Sequence, residues 1–439
     1  MKNEITLAVT GDSAIRRRLS VHKEKDFLDL INIIRSADVA FTNLEAVIHD
    51  YEGPEVYPCE SGGGTWSQVP SFIAEELKWC GFNLISRANN HSLDYSYGGM
   101  FNTSKVLDEV GLVHAGVGKN LAEAREPAYL ETEKGSVALI SMCSTFTRWG
   151  RAGEQRKDVK GRPGLNPLRY YYAIGSNKIK MIKEIAINIL NMEHFQEDNI
   201  HYFVQPGTHN SVYKFVESKN QGTYRVALED DVEGNIKYIR DAKKRSDLVI
   251  VHLHAHEWEL GKGRETPGEF IPPFAHRCIN EGADVFICQG AHTLRGIEIY
   301  KNKPIFYEPQ SSMSFGKATR LPAGYYENPM YQKYSKVDLK SRDAMVLDAL
   351  ESRIASPLGQ DLAKQSFEAR NAFVGLCTFG EKMNLIDLKI YPKIRKSGKP
   401  PMLASEMEAK KIIEYIERVS STYDTEIEYK DGIGQVKIK

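Results

Sequence analysis

A polar stretch at residues 86–99 follows an apolar run and contains three side chains that could do metal chemistry. Asn90, His91 and Asp94 offer an amide oxygen, an imidazole and a carboxylate within five positions. Such a set can hold a divalent cation and position a water or an anionic substrate. The alternative is a polar turn, in which Asn and Asp cap a helix that begins near Tyr97. Taken alone, the stretch does not decide between the two.

Three histidines alternate at the point where a later apolar run ends. Residues 248–253 are almost continuously apolar, as in a strand that is buried on both faces. If the extended conformation persists, His252, His254 and His256 all point to one side, because side chains two apart share a face. Packing explains one histidine at a strand end far more easily than three. The spacing therefore favours metal or phosphate binding.

The same order, an apolar strand followed by a polar side chain, recurs along the chain. Five strands deliver such side chains: Asp12, Glu45, Asn90 with His91, the histidines at 252–256, and His292. Loops at the carboxyl ends of strands converge on one crevice in α/β folds, so we expect a single site. Two carboxylates, an amide and several imidazoles suffice for one transition-metal ion or for two ions. Oxygen and nitrogen ligands without thiolate fit Mn, Fe or Zn.

These segments resemble, in the same order, the motifs of the CapA family, which takes its name from poly-gamma-glutamate capsule synthesis proteins. The segments are Gly11-Asp12, Asn43-Leu44-Glu45, Asn89 to Tyr95, residues 254–259 and Gly290-Ala291-His292. The family is similar to calcineurin-like metallophosphoesterases. The resemblance implies an α/β fold, a four-layer α/β/β/α sandwich with inserted loops and a C-terminal extension. It also implies a metal site at one sheet edge.

The resemblance also assigns roles to residues. Its first three motifs are matched at Asp12, Glu45, Asn90 and His91. The fourth, usually His-Trp-Gly-x-Glu, reads His-Ala-His-Glu-Trp-Glu here, so the histidine that acts as ligand stays open. The fifth, usually Gly-His-His-Pro-His, keeps only its histidine at 292. The expected metal ligands are Asp12, Glu45, Asn90, His252, His254 and His292.

The first predicted function is a divalent-metal-dependent hydrolase. A metal-activated water would attack an amide, a cyclic amide or a phosphoester of a small anionic substrate. His91 or His256 would serve as acid–base catalyst, and Asp94 would orient His91. Arg87 and Arg169 are candidates to bind a carboxylate or phosphate of the substrate through paired hydrogen bonds.

The second predicted function is a non-catalytic or weakly catalytic accessory protein of poly-gamma-glutamate biosynthesis. The expected partner of the chain is a small-molecule or γ-glutamyl-type anionic substrate. The shortened fifth motif favours this alternative, whereas the retained Asp12, Glu45, Asn90 and His91 oppose it. Metal content and chelator-sensitive turnover separate the two functions.

Composition excludes several other classes of protein. Lysine plus arginine equals aspartate plus glutamate, 58 each over 439 residues, so no overall field attracts nucleic acid or an anionic membrane. We expect no membrane span, since no window of about 20 apolar residues occurs.

The six cysteines are scattered and include no CxxC pair, which fits a reducing compartment. With no apolar leader at the N-terminus, the predicted location is the cytoplasm. A homo-oligomer is compatible with these features.

Two regions are expected along the chain. Residues 1–316 would form the metallohydrolase domain, with a substrate-shaping insertion near 148–232. Residues 317–439 would form a lid-like loop, at 317–345, and a C-terminal helix and strand extension that packs on the same domain.

Overall fold

The structure is a computed structural model that describes residues 4–62, 65–207, 212–220, 222–310, 313–316, 322, 324, 371–396 and 398–438. Its strands are β1 (Ile5–Ser13), β2 (Val39–Leu44), β3 (Val47–Ile48), β4 (Gln68–Val69), β5 (Leu84–Ser86), β6 (Val113–Ala115), β7 (Val117–Gly118), β8 (Ala128–Thr132), β9 (Gly135–Cys143), β10 (Gly164–Leu165), β11 (Tyr170–Gly175), β12 (Glu193–Glu197), β13 (Ile200–Val204), β14 (Val212–Ser218), β15 (Thr223–Ala227), β16 (Leu248–His254), β17 (Val285–Gln289), β18 (Ile297–Tyr300), β19 (Lys303–Phe306), β20 (Asn371–Phe379), β21 (Leu385–Ile394), β22 (Met402–Leu403), β23 (Ile427–Lys430) and β24 (Ile433–Val436).

The α-helices lie between these strands and supply the outer layers of the fold. They are α1 (Lys25–Arg35), α2 (Ile73–Trp79), α3 (Ser96–Glu109), α4 (Leu121–Arg125), α5 (Ser176–Asn188), α6 (Glu229–Arg245), α7 (Ile271–Asn280) and α8 (Glu406–Ser420). Short 3-10 turns follow at Glu381–Met383 and Ser421–Tyr423. Within the described ranges, no helix combines the length and apolar character needed to cross a bilayer.

Two large sheets form the centre of the molecule. The first has the order β23-β24-β21-β20-β1-β2-β5-β6, with β22 paired to β21. Its strands β1, β2, β5 and β6 are mutually parallel. The second has the order β18-β19-β17-β16-β9-β8, in which β9, β16, β17 and β19 are parallel. The parallel strands of each sheet therefore end along a common edge.

Apolar residues hold the layers together. Side chains of both sheets, such as Leu7, Phe41 and Ile250, are fully buried in one core between the sheets. Helices α1 and α2 pack on the outer face of the first sheet through residues such as Phe27. Helices α6 and α7 cover the second sheet, with Phe274 buried against it. The predicted four-layer α/β/β/α sandwich is confirmed.

The insertion and the C-terminal region are built differently. Strands β11 to β15 form a separate five-stranded sheet, against which α5 packs. Strand β20, by contrast, pairs antiparallel with β1 and so lies inside the first sheet. The predicted lid-like loop at 317–345 lies outside the described residues, apart from residues 322 and 324. The division of the chain at residue 316 stays a prediction.

Candidate metal centre

The carboxyl ends of the parallel strands in both sheets meet at one edge, and the predicted ligands lie there. The first sheet contributes Asp12 from β1, Glu45 after β2, and the loop after β5 with Asn90 and His91. The second sheet contributes three histidines: His254 ends β16, His256 follows it, and His292 follows β17. Because the sheets face each other, ligands more than 200 residues apart in sequence become neighbours.

Among the described residues, two groups of side chains have ligand atoms within 4.8 Å of one another. One is Asp12, Glu45 and His292, and the other is Glu45, His254 and His256. Glu45 belongs to both groups. A carboxylate has two oxygens, so Glu45 could face one cation or join two.

A pair of asparagines holds the ligands in place. Asn43 Nδ2 donates to Asp12 Oδ1 at 2.7 Å and lies 3.3 Å from His254 Nδ1. Asn89 Nδ2 in turn donates to Asn43 Oδ1 at 3.1 Å and to Leu44 O at 2.8 Å. These bonds connect the ligand strands of both sheets, so the positions of the carboxylate and the imidazole are fixed together.

Several buried polar atoms of this cluster lack a hydrogen-bond partner. Asn90 is 5% exposed, and neither its Oδ1 nor its Nδ2 is hydrogen-bonded in the part of the chain that the structure describes. The Oε1 atom of Glu45 is buried and also without a hydrogen bond. An unsatisfied buried polar group costs about 1–3 kcal/mol. A cation would satisfy these oxygens, so the donor set fits a divalent metal.

The electrostatics of the cluster lead to the same conclusion. Burial, followed by the negative charges of Glu45 and Glu308, raises the pKa of Asp12 well above its usual range. Burial, followed by the neighbouring histidines, lowers the pKa values of His254 and His256. Their Nε2 atoms lie 3.0 Å apart. Neutral imidazoles beside crowded carboxylates are the form that binds a cation, whose charge would relieve the repulsion between the acids.

His91 and Asp94 form a hydrogen-bonded pair next to the ligands. His91 Nδ1 lies 2.6 Å from Asp94 Oδ2, which also accepts from the backbone N of Ser67 at 2.7 Å. The other ring nitrogen, Nε2, lies 3.9 Å from Glu45 Oε1. Burial opposes protonation of the ring, but Asp94 and then Glu45 outweigh it, so the pKa of His91 is raised. The pair fixes the ring with Nε2 toward the ligands.

A cleft of about 420 Å³ opens above the cluster. Its floor includes Glu45, Asn90 and His91, together with His256 and His292. Its remaining walls include two arginines and two tryptophans, which are Arg16, Arg264, Trp66 and Trp258. The cleft is at the small end of the range for small-molecule sites.

His252, which the sequence predicts as a ligand, lies outside both groups of ligand candidates. It is fully buried, and its Nδ1 lies 2.7 Å from Ser86 Oγ and 3.3 Å from Ser141 Oγ. Burial lowers its pKa to about 3. It shares the inward side of β16 with His254, but lies two residues deeper between the sheets. His252 is therefore a hydrogen-bonded core residue.

The two arginines predicted to bind substrate, Arg87 and Arg169, are not among the residues that line the cleft. Arg87 is 2% exposed, and its guanidinium donates to Ser104 Oγ at 2.8 Å and to Met100 O at 3.0 Å. Arg169 forms a two-bond ion pair with Asp231, with contacts of 2.7 and 2.8 Å. Each arginine thus bonds to a helix: Arg87 bonds to residues of α3, and Arg169 bonds to a residue of α6.

The match with known families covers most of the chain. The model of the family described as "Bacterial capsule synthesis protein PGA_cap" matches residues 6–308. The chain belongs to this family. The matched region contains every ligand described above, and the resemblance to CapA proteins is confirmed.

Several PGA_cap relatives cover the chain to different extents. An uncharacterized protein, y4sH of Sinorhizobium fredii, is 31% identical over 99% of this chain and 93% of its own length. A probable polyglutamine synthesis accessory protein of Mycobacterium tuberculosis is 27% identical over 51% of this chain and 43% of its own. The capsule biosynthesis protein CapA of Bacillus anthracis is 22% identical over 53% and 40%, respectively. This chain thus shares only part of the length of the two relatives with descriptive names.

A buried carboxylate beside the cluster, Glu308, was not predicted from the sequence. Glu308 accepts from the backbone N of Ala291 at 2.7 Å and of Gln310 at 2.9 Å, and thereby holds the loop with His292. Burial raises its pKa to about 7. It lies two residues past the end of β19, so the pattern that indicated Asp12 and Glu45 could have found it. Arg16 and Arg264 lie in loops without such a signal.

Proposed function

We propose that the chain is a divalent-metal-dependent hydrolase that acts on a small anionic substrate. The observation that carries this proposal is the position of Glu45, whose carboxylate belongs to both ligand groups on the floor of the cleft. A cluster without a metal role would have to bury two carboxylates close to two facing imidazoles, with Glu45 Oε1 left without a hydrogen bond among the described residues, which is costly. The family assignment is consistent with the proposal.

The residues that would hold the metal are Asp12, Glu45, Asn90, His254, His256 and His292. A bound divalent cation supplies Lewis acidity, which lowers the pKa of water and polarises the bond to be cleaved. Asn43 and Asn89 keep the ligands in register through their hydrogen bonds. His256, which the sequence predicts as an acid–base catalyst, is a ligand candidate in this proposal, because its ring nitrogen belongs to the group with Glu45 and His254.

His91 is the residue best placed to move a proton. Its Nδ1 is fixed on Asp94 Oδ2, so the proton that it can exchange is on Nε2, which lies on the floor of the cleft. A proton on Nε2 can be donated to the leaving oxygen or nitrogen as the bond breaks, and Asp94 stabilises the imidazolium form. The geometry suits phosphoesters and amides equally, because both need a proton on the leaving group.

The alternative function, an accessory role in poly-gamma-glutamate synthesis with little or no catalysis, is supported by one specific observation. A relative that matches half of the chain is described as a probable polyglutamine synthesis accessory protein. In this case the metal cluster would be structural, and a γ-glutamyl polymer or precursor would be the ligand of the cleft.

Chelation tests the proposal directly. Purified protein is assayed on p-nitrophenyl phosphate, bis-p-nitrophenyl phosphate and a γ-glutamyl anilide, before and after chelator and after separate addition of Mn, Fe or Zn. The hydrolase predicts turnover that disappears with the chelator and returns with one of these metals. Metal that remains bound while no substrate turns over would favour the accessory role. If no metal binds and none of the substrates is hydrolysed, the proposed hydrolase function is wrong.

Replacement of His91 is a second test within the cleft. We expect His91→Ala to lower kcat by about 10²-fold or more on the γ-glutamyl anilide or on an alkyl phosphate, whose leaving groups need a proton, because general acid–base catalysis is worth about 10²–10⁴-fold. The control is His276→Ala, which removes an imidazole that bonds to Glu298 outside the cleft. Full activity of His91→Ala, at unchanged metal content, would remove this residue from the mechanism.

A further inference from the structure

Two arginines, Arg16 and Arg264, lie in the walls of the cleft next to the metal ligands. They come from different loops, Arg16 after β1 and Arg264 in the loop between β16 and α7. Both are partly exposed. Because the same cleft is lined by Glu45, His91 and His256, each arginine lies close to the cluster.

Arg16 is fixed to the ligand loops of the first sheet. Its Nη2 donates to Ser67 Oγ at 3.0 Å, and its Nη1 donates to Ala14 O at 3.3 Å. Ser67 Oγ in turn donates to Glu45 O at 2.8 Å. The same serine donates its backbone N–H to Asp94. The guanidinium of Arg16 is thus placed relative to Glu45 and His91 by a short chain of hydrogen bonds.

Arg264 is held from the second sheet by two contacts. Its Cζ lies 5.0 Å from the centroid of the Trp258 ring, a cation–π contact that orients the guanidinium plane. The fully buried Arg295 donates its Nε to Arg264 O and its Nη2 to Glu257 O, both at 2.8 Å. Within the described chain, Arg264 makes no salt bridge. Its charge is therefore available to a ligand.

We propose that Arg16 and Arg264 bind an anionic group of the substrate, a carboxylate or a phosphate, beside the metal ligands. Guanidinium groups recognise both anions through paired N–H donors, and the cleft is small enough for one group to contact an arginine while a neighbouring bond lies over the cluster. The inference rests on the proposed hydrolase for the reacting bond. It narrows the substrate class to molecules that carry a negative charge next to the cleaved bond.

Titration with two simple anions tests the arginines. Inorganic phosphate and glutarate are titrated by calorimetry into manganese-loaded protein, and the metal content of each variant is measured. We expect at least one anion to bind and its affinity to fall about tenfold in Arg16→Gln and in Arg264→Gln. Arg264→Lys should bind the anion more tightly than Arg264→Gln but less tightly than the wild type. Lysine keeps the positive charge but lacks the paired N–H donors of the guanidinium. The control is Arg240→Gln on α6, which removes an arginine that is paired with Glu281 outside the cleft. This variant should bind the anions as the wild type does.

The affinities of the two anions are compared to identify the charged group of the substrate. Tighter binding of phosphate indicates a phosphate group, and tighter binding of glutarate indicates a carboxylate. Wild-type affinity in both Arg16→Gln and Arg264→Gln would overturn the inference, as would a wild-type protein that binds neither anion. Failure of the hydrolase has a different signature, namely no turnover in the wild type, and it leaves these titrations unchanged. If the wild type holds no manganese, the titrations are run on the metal-free protein, and a loss confined to the cleft arginines still supports anion binding.

Discussion

The backbone at Gly290, directly after β17, lies close to two imidazoles of the site. Its φ is +118°, and a Cβ added there would lie 2.8 Å from His256 Cδ2 and 3.0 Å from His254 Nε2. We expect Gly290→Ala to displace these rings, to lower the metal content and to reduce the free energy of unfolding. The reduction should exceed the roughly 1–2 kcal/mol that a left-handed backbone costs an alanine. Metal analysis and chemical denaturation measure the two effects.

Gly261→Ala is the matched control for this prediction. Gly261 also has a positive φ, +83°, but an added Cβ meets no atom within 4 Å. This variant should therefore show the backbone strain alone and keep its metal. If Gly290→Ala retains the wild-type metal content and is no less stable than Gly261→Ala, then Gly290 does not lie close to the ligands.

For single residues, a polar side chain at the end of an apolar strand predicts which residues lie near the cluster. The same pattern does not predict how deeply each side chain is buried. Asp12, Glu45, Asn90, His91 and His292 all lie where an apolar strand ends, and the structure brings them together. Period two correctly places His252 on the same side of β16 as His254, but it contains no information on which of them is covered by the opposite sheet. Arginines were harder to assign, because their long side chains reach partners that local sequence does not reveal. Arg87 and Arg169 illustrate this.

At the scale of elements, helix α8 ties the C-terminal region to the main fold. Its residues Ile412 and Ile416 are fully buried in the core between the two sheets. The helix begins with a capping box in which Ser405 and Glu408 satisfy each other's backbone N–H groups. It contacts β21 in the first sheet and β18 in the second. It therefore covers the end of the sandwich rather than one face.

Truncation of one buried side chain tests the role of α8. We expect Ile416→Ala to lower the free energy of unfolding by about 2–5 kcal/mol, because a cavity would form in the shared core. Met407→Ala on the same helix should change it by less than about 0.5 kcal/mol, since Met407 is 70% exposed. Chemical denaturation followed by circular dichroism measures both. Equal effects of the two substitutions would show that α8 does not bridge the sheets.

Elements with strong periodicity could be predicted from sequence, whereas pairing across long distances could not. The continuous apolar run at 248–253 predicts a buried strand, and β16 spans Leu248–His254. The sequences at 297–301 and 304–307 predict a hairpin around Asn302, and β18 and β19 form it. The five-stranded sheet of the insertion was not predicted, because β12 is largely exposed, β14 is only half-buried, and both have weak apolar alternation.

At the scale of the whole molecule, the site exists only because two sheets from distant parts of the chain pack face to face. Asn43 from the first sheet contacts His254 from the second, across 211 positions of sequence. The pairing of β1 with β20 brings the C-terminal region into the first sheet in the same way. Neither contact follows from local patterns, because each depends on the register of both partners. The resemblance to CapA proteins, not periodicity, indicated this architecture in advance.

The metal content of Glu45→Gln tests the central claim most directly. Glu45 belongs to both ligand groups, so its replacement should remove nearly all bound metal. His292→Asn and His256→Asn should each remove only the part that their own group holds. Glu193→Gln, which changes an exposed carboxylate on β12, should keep the wild-type content. Elemental analysis after reconstitution with Mn, Fe or Zn measures the ratio of metal to protein. We predict a ratio near zero for Glu45→Gln, and an unchanged ratio in that variant would contradict the account.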